Sequence, residues 1–154
     1  MLTYEGLFFD NPLVVQKLKE LDQPFLGRVN DIYHCTFKYK PKGDEIFDDL
    51  VGEEVEVEVE VIGYANNGSN SSFLLRLPDY MMPYYINYNG EILKPAHITA
   101  SLAKGAAAKD TAFLRFIPFG NPFTITGRFG YWIRDEKGGR LSYEPYKKEL
   151  GLKN

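Results

Sequence analysis

The chain is poor in the residues that staple or metallate small proteins, with one cysteine and two histidines in 154 residues. A single thiol, Cys35, excludes an internal disulfide and fits a reducing compartment. Catalytic zinc normally takes three protein ligands, and no motif names a carboxylate to join the two histidines, so no metal or cofactor is expected. Long apolar runs are missing as well. Nothing approaches the roughly 18 residues of a membrane span, and Met1-Leu2-Thr3-Tyr4-Glu5 has neither the basic start nor the apolar core of a secretory signal. A cytoplasmic protein with no membrane partner is the expectation. Positive charge is in short supply, 18 Lys and Arg against 21 Asp and Glu for a net charge of −3. A sequence-independent binder of long duplexes needs a broad basic face, so that class is disfavoured. A small anionic ligand needs only a few well-aimed donors and stays open.

Aromatic residues are plentiful, 11 Tyr, 11 Phe and Trp132, which suits a β-rich fold and leaves rings that could stack on bases. A chain of this length buries roughly 68–70% of its unfolded surface, and no linker composition divides it, so a single domain over residues 1–154 is predicted. Thr3 to Phe9 reads as a strand. Asn11-Pro12 then supplies a helix cap and first turn, with Leu13, Val14, Leu18 and Leu21 as the apolar face and Pro24 and Gly27 beyond the end. Asp31 to Lys38 reads as a strand. Glu53 to Val61 alternates glutamate and valine, the pattern of a half-buried strand whose acidic face discourages edge pairing. Asn66 to Ser71 is a polar turn, so this strand and Ser72 to Leu77 form a hairpin. Residues Asp79 to Lys94 carry no assignable pattern. His97 to Leu102, Phe113 to Phe116 and Pro122 to Ile133 read as further strands, Ala103 to Asp110 as a loop or short helix bearing Lys104 and Lys109, and Gly138-Gly139 as a turn. The Lys/Glu-rich end from Tyr146 is expected to be solvated.

The two histidines open the same phrase, His34-Cys35-Thr36 and His97-Ile98-Thr99. Serine and threonine make up 11 of 154 residues, so a hydroxyl two places after both histidines arises by chance at roughly 0.5% on composition. In a strand, alternate side chains share a face, so each strand would present an imidazole and a hydroxyl together. Behind them, Tyr33, Cys35, Phe37 and Tyr39 form one apolar face, and Ile98, Ala100 and Leu102 the other. The same alternation places Lys38 beside His34 and Thr36, and Ser101 beside His97 and Thr99, as tentative ligand contacts. Trp132 is a tentative base platform. Cys35, opposite the histidine, reads as a buried filler rather than a nucleophile. If the two polar faces meet, they supply what phosphodiester cleavage requires: a general base, a general acid and neutral donors for the nonbridging oxygens. An imidazole with a pKa of about 6.5 can serve in either proton-transfer role. Which histidine takes which role is left open by the sequence.

In these paired H-x-T motifs the chain resembles the 2H phosphoesterase superfamily, which includes LigT-type RNA ligases and cyclic phosphodiesterases. The resemblance implies an α+β fold with few helices: two lobes of mostly antiparallel sheet, related by pseudo-twofold symmetry around a central cleft. It also implies metal-independent cleavage of nucleotide diesters such as 2′,3′-cyclic phosphates and 2′–5′ linkages, with His34, Thr36, His97 and Thr99 catalytic. The run Lys94-Pro95-Ala96-His97-Ile98-Thr99-Ala100-Ser101, followed by Lys104-Gly105 and Asp110-Thr111, is similar to the phage anti-CBASS phosphodiesterases. That branch destroys cyclic oligonucleotide immune signals, which implies a small cyclic di- or oligonucleotide as partner and the host cytoplasm as the place of action. The rival expectation is a non-catalytic module that sequesters a nucleotide in the same cleft.

Overall fold

A computed structural model describes residues 1–42, 46–51, 56–85, 88–89 and 92–146. The fold is α+β and mostly antiparallel. Its strands are β1 (Leu2–Phe8), β2 (His34–Tyr39), β3 (Glu56–Asn66), β4 (Asn70–Arg76), the short pair β5 (Tyr88–Asn89) and β6 (Ile92–Leu93), then β7 (His97–Leu102), β8 (Ile117–Asp135) and β9 (Gly138–Ser142). Among the described residues the α-helix α1 (Pro12–Leu21) follows β1. Asn11 caps it by accepting a hydrogen bond from the Leu13 amide at 2.9 Å, and Pro12 occupies the first turn, where its missing N–H costs nothing. The buried stripe of α1 is Val14, Val15 and Leu18. Leu13, expected on that face, is 76% exposed; at five residues from Leu18 it is rotated about 140° away.

The main sheet runs β2-β1-β8-β3-β4-β7, with β9 paired to β8 beyond the hairpin turn. Its two outer strands, β2 and β7, come against each other, so the sheet is nearly closed into a barrel. The order reads as two three-stranded halves, β2-β1-β8 and β7-β4-β3, each with an H-x-T strand at its outer edge. The core lies on one face: Leu7 of β1 and Phe9 just beyond it, Cys35 and Phe37 of β2, Val57, Val59 and Val61 of β3, Phe73 of β4, Ile98 and Ala100 of β7, and Phe129 and Tyr131 of β8. The acidic run is therefore amphipathic as predicted over its described part, but β3 is a central strand flanked by β4 and β8. The β4 pairing starts only at Glu60, so among the described residues Glu56 and Glu58 sit where β3 is paired to β8 alone. Glu53 to Val55 lie outside the described residues, as does the chain from Lys147 onward.

The predicted hairpin is present as β3 and β4, joined through Asn67 to Ser69. Phe113 to Phe116 is a turn rather than a strand, and β8 begins at Ile117. The turn near Gly138 is made by Glu136 and Lys137, with Gly138 at φ +114° opening β9.

The two H-x-T strands share an irregularity. On β2, Thr36 pairs with Gly6 and Lys38 with Glu5, so Phe37 is an extra residue in the ladder. On β7, Thr99 pairs with Ser72 and Ser101 with Ser71, so Ala100 is extra. Each bulge falls three residues after its histidine. The partner strand accommodates each one differently. Gly6 leaves room for the Cys35 carbonyl oxygen, which would stand 2.1 Å from a Cβ at that position. Ser72 instead donates its hydroxyl to the Ile98 carbonyl at 3.0 Å. A bulge reverses the alternation downstream of it, and this decides which side chains reach the site.

Candidate active site

A cavity of about 550 Å³ is lined by His34 and Thr36 of β2 and by His97 and Thr99 of β7. The fold thus brings all four motif residues to one space. The two strands touch at the start of the motifs, where the Cys35 sulfur lies against the His97 backbone. Cys35 itself is fully buried and its thiol is pushed up to about 12 by burial, which suits a packing residue and no nucleophile.

Both imidazoles are held in the same way. His34 Nδ1 lies 2.5 Å from the Ile32 carbonyl oxygen, and His97 Nδ1 lies 2.7 Å from that of Pro95. A carbonyl only accepts, so in each ring Nδ1 carries the hydrogen and Nε2 is left to exchange protons with a ligand. Burial disfavours the imidazolium and pulls His34 down to about 4, opposed by the Ile32 carbonyl and the Asp31 carboxylate and reinforced by the charge of His97. His97 is also pulled below its ordinary value, first by burial and further by Lys94, against the Pro95 carbonyl. The neighbours differ in sign: a carboxylate stands by His34 and an ammonium by His97.

Aromatic rings fix His34 from the side. Tyr4 stacks on it, and Phe8 packs at 5.7 Å between centroids. Tyr4 also donates its hydroxyl to Asp31 Oδ2 at 3.2 Å, and Asp31 Oδ1 lies 3.5 Å from an Arg134 guanidinium nitrogen. Asp31 adopts φ 57° and Lys40 φ 48°, so the two described non-glycine residues with positive φ bracket β2, and both line the cavity.

The Thr99 hydroxyl belongs to a chain. Thr111 Oγ1 donates to the Ala108 carbonyl at 2.8 Å, which uses its single hydrogen. Thr99, 2.8 Å away, must therefore be the donor in the Thr99–Thr111 pair. An acceptor entering the cavity would compete with Thr111 for that hydrogen.

Charge is segregated. Among the described residues, Lys40, Lys94, Lys109 and Arg134 line the cavity against the one carboxylate Asp31, in a chain whose net charge is −3. Among the described residues, no group of three or more His, Cys, Asp or Glu side chains is placed to hold a metal ion. No helix among them is long and apolar enough to cross a membrane.

No family model matches the chain, and no curated protein does. The site therefore stands on its own geometry.

Two of the tentative ligand contacts are moved away by the matched bulges. Lys38 pairs with Glu5, on the opposite face of β1 from the Tyr4, Gly6 and Phe8 positions, and does not line the cavity. Ser101 is fully buried, sharing a 2.8 Å hydrogen bond with Ser71 Oγ and accepting from the Leu26 amide at 3.2 Å. Trp132 does not line the cavity either. It stacks on Tyr4 at 6.3 Å between centroids, over Gly139, where a Cβ would stand 2.5 Å from the indole. Its place is behind the site, supporting the ring that supports His34. The residues that strict alternation could not reach are Tyr4 and Arg134, from strands distant in sequence, and Tyr39 and Lys40, which the bulge rephases. Of the cationic lining residues, Lys94 was signalled by its place in the run leading to His97, and Lys109 only as part of a loop or short helix.

Proposed function

We propose that this chain is a metal-independent phosphodiesterase acting on small nucleotide diesters. The observation that carries the reading is the pair of imidazoles, each engaged at Nδ1 by the carbonyl two residues before it, both lining one cationic cavity. One Nε2 removes the proton of the attacking oxygen, a ribose 2′-hydroxyl or water, as the new P–O bond forms. The other, protonated, delivers its proton to the departing oxygen as the old P–O bond breaks. The base leaves the step protonated and the acid neutral, and exchange with solvent or attack in the reverse sense restores them. Thr36 and Thr99 donate to the nonbridging oxygens, and the lysines and Arg134 offset the developing charge.

The neighbours divide the roles. Asp31 favours a charged His34, which suits the acid; Lys94 favours a neutral His97, which suits the base. A bound phosphate diester adds negative charge to the site and raises both histidines toward the pH of the cytoplasm.

Cyclic di- and oligonucleotide signals are the substrates we place first, in keeping with an anti-CBASS role, followed by 2′,3′-cyclic phosphates and 2′–5′ linkages. The test is incubation of the intact chain in EDTA with a panel of these diesters, with products identified by mass. Cleavage in EDTA that falls about 10²–10⁴-fold in His34→Ala and in His97→Ala, with ligand still bound, supports the reading. Binding without cleavage makes the chain a sequestering module instead, and cleavage restored only by zinc overturns the mechanism.

A further inference from the structure

The bulge at Phe37 does more than displace Lys38. Beyond it, Tyr39 pairs with Tyr4, on the face of His34 and Thr36, and lines the same cavity. Its side chain is 59% exposed there. The next residue, Lys40, is fixed by its amide hydrogen bond to the Thr3 carbonyl at 2.7 Å and holds its ammonium over one face of the Tyr39 ring, 5.4 Å from the centroid, which leaves the other face for a ligand. The other aromatic rings near the site are committed. Trp132, Tyr4 and His34 stack in series, and Tyr4 is only 5% exposed. Among the described residues lining the cavity, Tyr39 is the open aromatic ring.

We infer that Tyr39 is the platform on which a nucleobase of the ligand stacks, with Lys40 beside it to meet a phosphate of the same nucleotide. The inference deepens, and rests on, the reading of the cavity as a nucleotide diester site: it commits the ligand to carrying a base next to the phosphate held between the histidines. A flat ring accepts any base through its π-face, so the platform adds affinity without strict base choice. Phosphodiesters of simple alcohols lack the group it would hold.

The experiment compares adenosine 5′-monophosphate with ribose 5-phosphate, which differ by the base alone, on the intact chain and on Tyr39→Ala, Tyr39→Phe and Tyr39→Trp. Binding is followed by calorimetry or by amide shifts. The parent is expected to bind the nucleotide about 5- to 150-fold more tightly than the sugar phosphate, the range for one base–aromatic stack. Tyr39→Ala should lose most of that ratio and keep its affinity for ribose 5-phosphate, whereas the Phe and Trp variants should retain it. Because Tyr39 is exposed, the fold should survive all three changes. Equal affinity of the parent for the two ligands, or an unchanged ratio in Tyr39→Ala, overturns the inference. The two readings fail separately. If diesters are cleaved while the ratio ignores Tyr39, the platform is wrong and the phosphodiesterase stands. If the ratio follows Tyr39 but no diester is cut, the platform stands in a binding module.

Discussion

Tyr4 lies nearly parallel to His34, with ring centroids 4.5 Å apart and planes inclined by 22°. Trp132, on the strand at the other side of β1, lies within 10° of parallel to Tyr4. The three rings cross three neighbouring strands, so the imidazole is backed by the sheet itself. Replacing Tyr4 by alanine should cost about 3–5 kcal/mol of stability, as for other large buried aromatics. It should also lower kcat by about 10²-fold by letting His34 drift. Tyr4→Phe keeps the stack and loses the hydroxyl's bond to Asp31 at 3.2 Å and its longer contact with His34 Nδ1 at 3.5 Å, so it should cost about 0.5–1.5 kcal/mol and lower kcat far less than the alanine change. Urea melts and turnover of the same preparations check both. An alanine variant of near-parental kcat would show that the stack positions nothing.

The hydroxyl chain makes a second prediction. Removing the Thr99 donor in Thr99→Val should lower kcat by about 10²–10³-fold, as for loss of one oxyanion donor. Thr36→Val should do the same from the other strand. Thr111→Val removes no group from the cavity, yet it removes the competing acceptor for the Thr99 hydrogen. The Thr99 and Thr111 substitutions should therefore be non-additive in a double-mutant cycle on kcat/KM, by about 0.5–3 kcal/mol. Strict additivity would mean that the two hydroxyls act independently.

Acid should find His34. Its folded value of about 4 lies below the ordinary 6.5, so between those two pH values the unfolded chain binds a proton that the folded chain refuses. Stability then rises with pH across that window, and is lost as pH falls from 6.5 toward 4. The amount from this one group is about 3 kcal/mol. His97 is shifted in the same direction and adds to the loss. Urea denaturation from pH 7 to pH 4, in buffers free of phosphate, should show a shallower acid decline for His34→Gln than for the parent. Parallel declines would mean that the buried imidazole is not held neutral.

Gly6 should tolerate no side chain. A Cβ there would meet the Cys35 carbonyl oxygen at 2.1 Å, against backbone that the bulge cannot move. Gly6→Ala is expected to lose more than about 4 kcal/mol or to fail to fold. Gly120, with nothing within 4 Å of its Cβ position, is the control, and Gly120→Ala should stay within about 0.5 kcal/mol of the parent. Similar melts for the two variants would show that β1 can yield to the bulge.

Much of the site was readable from two repeated phrases, because the period-two alternation of a strand holds as far as Thr36 and Thr99. It stops being readable one residue later. Tyr39 looks apolar and Lys38 polar, so the string gives no sign that the phase reverses at Phe37; the signal, if any, was Gly6 on the neighbouring strand. Ser101 misled for the same reason at Ala100. In α1 the cap was legible because Asn11-Pro12 acts locally, while the buried stripe depended on which side the sheet offered. The acidic strand had a legible face but no legible position in the sheet: alternation reports one neighbour, the core, and is silent on whether strands flank both edges.

The segregation of charge has a consequence for what can reach the histidines. Glu56 and Glu58 face solvent from the middle of the sheet, while the cations gather where its two ends meet. A compact anion meets the attractive patch alone. If the cavity takes anions as proposed, raising the ionic strength should weaken their binding as the field of Lys40, Lys94, Lys109 and Arg134 is screened.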